Sequence, residues 1–212
     1  MSLTTNQSSQ LYQLRSLMPT RPLTQFEAYR LAELQANRLL GAAGIDQPGT
    51  PDELITGLSF LQITLRSDMP SSGLTRWVKP HWRIYLNRTE TAVRRRYSLA
   101  HEFKHILDHG ISGRLYPTTQ WGKAEQRAER VCDYFAASLF MPRRIVKRRF
   151  FQGLNDPAEL AAEFGVSQQA MRYRLNELGL TDPTPRCARQ LKNPPSDFSG
   201  YLRHAPVREQ VA

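Results

Sequence analysis

The pentapeptide His101-Glu102-Phe103-Lys104-His105 brings together the residue types best able to do chemistry, at a spacing that suits them. On a helix, positions 101 and 105 lie one turn apart on the same face, so two imidazoles can reach a single Zn²⁺ at about 2.0–2.1 Å. Glu102, rotated by about 100° from His101, falls beside the water that an open zinc site admits. A carboxylate there is a general base. With 5 His and 19 acidic residues in the chain, a chance His-acid-x-x-His is expected at roughly 0.01, so the match is informative. Catalytic zinc also needs a third protein ligand. Only two cysteines are present, Cys132 and Cys187, which excludes a Cys-rich ribbon and points to His and carboxylate as the ligands.

Two helices must hold such a site. One is expected from about 91 to 109, closed by Gly110, and another from about 123 to 140, where Ala128, Val131, Cys132, Phe135, Ala136 and Leu139 share one face at helical spacing. Glu129 follows His105 after 23 intervening residues, with Asp133 one turn further on the same face. Glu125 competes for the ligand role, since it too lies one turn from Glu129. Glu129 is preferred because the apolar stripe places the buried edge of the helix beside it. His109 continues the ladder of histidines, but in the last turn it is expected to meet the helix dipole. Tyr97, Tyr116 and Tyr134 are candidates for polarising a scissile carbonyl, with packing the simpler role for each.

Around these helices the 212 residues divide into four regions. Residues 1–22 are expected to form a poorly ordered arm, and 23–142 the chemical domain. That domain starts with a helix capped by Thr24-x-x-Glu27 and ended by Gly41. A short helix follows from Thr50-Pro51-Asp52-Glu53 to Gly57. Strands at 61–65, 74–78 and 82–87 then make a small antiparallel sheet, with 82–87 as the edge that pairs with an extended substrate. Residues 143–182 outline a helix-turn-helix, with helices at 157–164 and 168–178. Residues 183–212 read as a flexible basic tail. The fold class is α+β.

Charge extends the reading beyond the site. The formal net charge is +10, which suits a polyanion or an acidic partner. Arg143, Arg144, Arg148, Arg149, Arg172 and Arg174 are the candidates for contacting DNA or a partner protein. Arginines 172 and 174 come late in their helix, whereas recognition helices usually read bases from their N-terminal residues, so docking on the core is the favoured role of this unit. No run approaches ~18 apolar residues and the opening lacks a secretory pattern. A soluble, cytoplasmic protein without membrane contact is expected.

Arg94-x-Arg96-Tyr97-Ser98-Leu99-Ala100 ahead of His101-Glu102-x-x-His105 resembles the ImmA/IrrE family of zinc metallopeptidases, as does Glu129-x-x-Cys132-Asp133-x-Phe135-Ala136-Ala137-x-Leu139-Phe140-Met141-Pro142. The resemblance spans about 24–180 and implies a zincin-like core with a helix-turn-helix-like unit after it. It implies Zn²⁺ held by His101, His105 and Glu129, Glu102 as the base, and Asp133 hydrogen-bonded to a ligand histidine, as in thermolysin-like zincins. It also implies a cytosolic endopeptidase that cuts a helix-turn-helix repressor and so derepresses mobile-element or stress-response genes. Lys104 stands where the family usually has Gly and is expected on the ligand side, where it would alter the substrate groove. Cys132 and Asp133 stand in place of Ala and Asn. The rival readings are a non-cleaving regulator that binds DNA or a repressor, and a toxin–antitoxin partner in which zinc is structural.

Overall fold

The Thr24 hydroxyl accepts the Glu27 amide while the Glu27 carboxylate accepts the Thr24 amide, and this reciprocal cap starts helix α1 at Gln25–Ala42. The computed structural model describes residues 10–120 and 122–181. Short helix α2 spans Glu53–Thr56, strands β1, β2 and β3 span Leu61–Arg66, Gly73–Val78 and His81–Asn87, and helix α3 spans Ala92–Asp108. Helices α4 to α8 follow at Ser112–Leu115, Ala124–Phe140, Arg143–Phe151, Pro157–Phe164 and Gln168–Glu177. The chain is thus α+β, with helices packed around one small sheet. The described residues up to Leu180 belong to one compact unit.

The sheet order is β1-β3-β2, which corrects two expectations. β3 is the central strand, and its buried Trp82, Ile84 and Leu86 alternate with partly exposed neighbours. It pairs parallel with β1 and antiparallel with β2, so the sheet is mixed and its cleft-side edge is β2. Period-two alternation is the same for both pairings and for edge and central strands, so it could not separate these cases.

The core joins α1, the sheet, α3 and α5 through Leu31, Leu39, Ile84, Phe103, Val131 and Phe135 among others. Part of the expected arm belongs to it. Residues 10–15 are helical, Leu14 is buried, and the Leu14 carbonyl accepts a bond from the buried Gln35 side chain. Arg15 donates to the Ile106 carbonyl in the helix that carries the histidines. Thr50 is not a cap either. Its buried hydroxyl donates to the Leu139 carbonyl, and Asp52 instead pairs with Arg96.

Residues 143–149, which read as a charge run, form α6, whose Ile145 and Val146 are buried. They join Met141, Leu160, Phe164, Met171 and Leu175 in a second apolar cluster. Two guanidinium groups pin this helical unit to the core around α3 and α5. Arg96 on α3 donates to the carbonyls of Phe164 and Gly165, at the left-handed C-cap of α7, and also to Thr50. Arg174 on α8 donates to the Met141 carbonyl and to Ser138, and lies over the Tyr134 ring. The expected tail, 183–212, lies outside the described residues. No helix among the described residues is long and apolar enough to cross a membrane.

Candidate metal centre

Helix α3 begins at Thr91, whose hydroxyl accepts the Arg94 amide, and its 17 residues carry both histidines on the face that meets α5. His101 Nε2 lies 3.2 Å from His105 Nε2 and 3.1 Å from Glu129 Oε2, and His105 Nε2 lies 3.2 Å from Glu129 Oε1. Two nitrogens and a carboxylate group therefore outline a triangle. Ligand atoms bonded to one ion at 2.0–2.1 Å and tetrahedral angles sit about 3.3 Å apart, so the observed separations are close to those a metal requires.

The chemistry of the donors agrees. His101 Nδ1 is 2.9 Å from the Asp133 carboxylate, which fixes the tautomer with its proton on Nδ1 and turns the Nε2 lone pair inward. A cation between these groups would satisfy the inward-facing His101 lone pair and the Glu129 carboxylate together. The residues present fit Zn²⁺. Burial acts to lower the pKa of His101, but the Asp133 hydrogen bond and the charges of Asp133, Glu129 and Glu102 outweigh it and hold the pKa above the ordinary histidine value.

Glu102 makes its own contact beside this triangle. It is nearly buried, and its Oε2 accepts a 2.7 Å bond from the Thr75 hydroxyl on β2. A Cβ built on Gly73 would lie 2.7 Å from Glu102 Cγ, so only glycine lets β2 pass this close to the carboxylate. A cleft of about 650 Å³ opens here, bounded by Thr75, Trp77, His101, Glu102, His105 and Glu129. His101, Glu102, His105, Glu129 and Asp133 are thus brought together, and Glu125 makes none of these contacts. Gly73 and Thr75 were missed in the sequence because no local pattern reports which strand lies against a helix.

The family model described as the IrrE N-terminal-like domain, a peptidase M78 family, matches residues 62–176, more than half of the chain. The chain belongs to this family. The radiation response metalloprotease IrrE of Deinococcus deserti is 29% identical over 166 residues, which are 74% of this chain and 58% of that relative. The chain therefore spans less than two thirds of that relative's length. A solved Mycobacterium tuberculosis transcriptional regulator matches with a TM-score of 0.56 and 18% identity, over 73% of this chain and 48% of the other. That likeness is one of fold.

Several side chains of this IrrE N-terminal-like chain lie where spacing did not place them. Lys104 is not in the groove. It is fully buried, 2.5 Å from Asp108 and 3.3 Å from the Tyr116 hydroxyl, which itself donates to Asp108 at 2.9 Å. The amphipathic pattern failed because a charged side chain can face the core when a second buried charge answers it. Tyr97 donates to the Asp133 carbonyl and Tyr134 stacks on Tyr29 at 4.4 Å, so with Tyr116 buried none of the three tyrosines bounds the cleft. His109 is the C-cap of α3, lies edge-on to Trp82 and borders the cleft.

The arginines proposed for DNA or partner contacts divide in two. Arg174 is buried in the docking contact just described, which removes it as a phosphate ligand. Arg149 pairs with Glu163, and Arg148 donates to the Asp46 carbonyl. Arg143, Arg144 and Arg172 remain exposed.

Proposed function

We propose that this chain is a zinc-dependent, site-specific endopeptidase that cuts a helix-turn-helix transcriptional repressor and thereby derepresses mobile-element or stress-response genes. The observation that carries the reading is the three-sided set of His101, His105 and Glu129, with the Glu102 carboxylate held apart from it at the cleft wall. Zinc supplies Lewis acidity at the scissile carbonyl and makes an attacking water easier to ionise near neutral pH. His101, His105 and Glu129 hold the ion, and Asp133 orients His101. Glu102 takes the proton from the attacking water and returns it to the departing amide nitrogen, while Thr75 keeps the carboxylate aimed.

Substrate positioning falls to β2 rather than β3. The Asn87 amide bonds the Ser72 carbonyl, and continuing that register puts the ladder bonds at residues 74, 76 and 78. The main-chain groups of Thr75 and Trp77 then point to the free edge, where an extended peptide can add as a strand.

The test compares the zinc-loaded chain with Glu102→Gln in a bacterial proteome extract, labelling newly formed N-termini. New termini made only by the parent chain, within a helix-turn-helix repressor, support the reading in full. Cuts in other proteins support the peptidase but not the repressor. Identical termini from both proteins would leave the non-cleaving regulator as the better account.

A further inference from the structure

Cys132 occupies the position on α5 between Glu129 and Asp133, where the family pattern has alanine. It is a free cysteine, fully buried. Its Sγ and one ligand nitrogen each of His101 and His105 all lie within 4.8 Å of one another. Three atoms so spaced share a central point no more than about 2.8 Å from each, against bonds of about 2.0–2.1 Å to nitrogen and 2.3 Å to sulfur. Small side-chain movements close that difference.

The two flanking groups differ in setting. The Glu129 side chain is 56% exposed, and the contacts that hold it at the site are those to the two histidines. Cys132 approaches the same histidines from the core. We propose that Cys132 is an alternative metal ligand, which completes a His101–His105–Cys132 set when the Glu129 carboxylate swings out to solvent.

The exchange balances simply. The thiol gives its proton to water, the sulfur takes the coordination position, and the freed carboxylate is hydrated at the cleft mouth. Burial pushes the Cys132 thiol well up, partly opposed by the Lys104 charge. A thiolate is a softer donor than a carboxylate, so this second set favours zinc and cadmium over hard ions such as Mg²⁺ or Mn²⁺. The chain thereby gains a way to keep its metal while the acidic ligand is withdrawn. The inference rests on His101 and His105 being the metal ligands of the proposed peptidase.

The experiment loads Co²⁺ into the full-length parent, Glu129→Ala, Cys132→Ala and the double variant, and reads ions per chain together with near-ultraviolet thiolate-to-cobalt charge transfer. The expected result is about one ion per chain in each single variant, an intense charge-transfer band in Glu129→Ala, none in Cys132→Ala, and loss of binding in the double variant. X-ray absorption of zinc-loaded Glu129→Ala gives an independent readout, a sulfur neighbour at about 2.3 Å. Cobalt bound by Glu129→Ala without the band, or no uptake by that variant while the parent binds, overturns the proposal. Failure of the parent to bind, or undiminished binding by His101→Ala, removes the histidine site itself and this inference with it.

Discussion

Each carboxylate at the site has a different neighbour, and the neighbour sets its task. Asp133 meets a ring nitrogen of His101, Glu129 meets the inner nitrogens of both histidines, and Glu102 accepts the Thr75 hydroxyl. Glu102→Gln keeps the size and the hydrogen bond but cannot take a proton, so cleavage should fall by about a hundredfold to ten-thousandfold with zinc content unchanged, as read by turnover and metal analysis together. Glu129→Gln should weaken zinc binding much more than Glu125→Gln, which a chelator competition would show. Because the pKa of His101 is raised, protons compete with the metal sooner than for a free imidazole. Zinc affinity should therefore begin to fall, as pH drops, from above the ordinary histidine range, in a titration with a zinc-sensitive dye. The buried Lys104–Asp108–Tyr116 set makes a separate demand. Lys104→Met leaves the Asp108 carboxylate buried without its cation and should cost about 3–5 kcal/mol, whereas adding Asp108→Leu to that variant should recover much of the loss in denaturant unfolding. His101, Glu102 and His105 were legible because one helical turn relates them. Lys104 was not, because an i, i+4 pair with Asp108 reads as a solvated face and only the Tyr116 contact from beyond the helix marks it as buried.

At the scale of elements, the cleft is a helix face against a strand edge. Helix α3 and its partner α5 were readable from apolar spacing and from the Gly110 stop of α3, since such signals are local. The role of β2 was not, because it depends on which strand takes the centre of the sheet, and β3 does so by pairing on both sides. Proline is tolerated in an edge strand where its nitrogen faces away from the ladder, so Trp77→Pro tests the edge directly. Relative to Trp77→Ala, it should raise KM for an extended peptide with little change in zinc content. Equal KM values would place the substrate elsewhere. Gly73→Ala should displace Glu102 or push β2 outward, lowering kcat while the metal stays bound. Helix α6 escaped notice because its apolar pairs, Ile145-Val146 and Phe150-Phe151, are split by three basic residues and define no stripe until Phe164 and Leu175 pack against the first pair.

For the whole molecule, the decisive contacts are those that bind the C-terminal helices to the core of α3 and α5. Truncation after Pro142 removes Arg174 from Met141 and Ser138 and the Phe164 and Gly165 carbonyls from Arg96. The fragment should be insoluble or unable to hold zinc, in a combined solubility and metal assay. A soluble, zinc-loaded fragment would show that the core stands alone. The outline of these helices was legible from Asp156-Pro157 and Gly165 and docking was the expected role, but Arg96 and Arg174, which make the dock, show in the sequence only as charge.

Arg96 sits five residues before the first metal ligand, yet its guanidinium is satisfied by Thr50 and Asp52 on one side and by Phe164 and Gly165 on the other. A ribosome delivers those partners in order, at about 5–20 residues per second. The histidines, Glu102 and Glu129 are all synthesised before the carbonyls that anchor the start of their helix. Until residue 165 has cleared the exit tunnel, the nascent chain holds every ligand and lacks the clamp that aligns them, so competence to bind metal tightly should lag behind the synthesis of the ligands and arrive in step with the closing of the helices at 157–177.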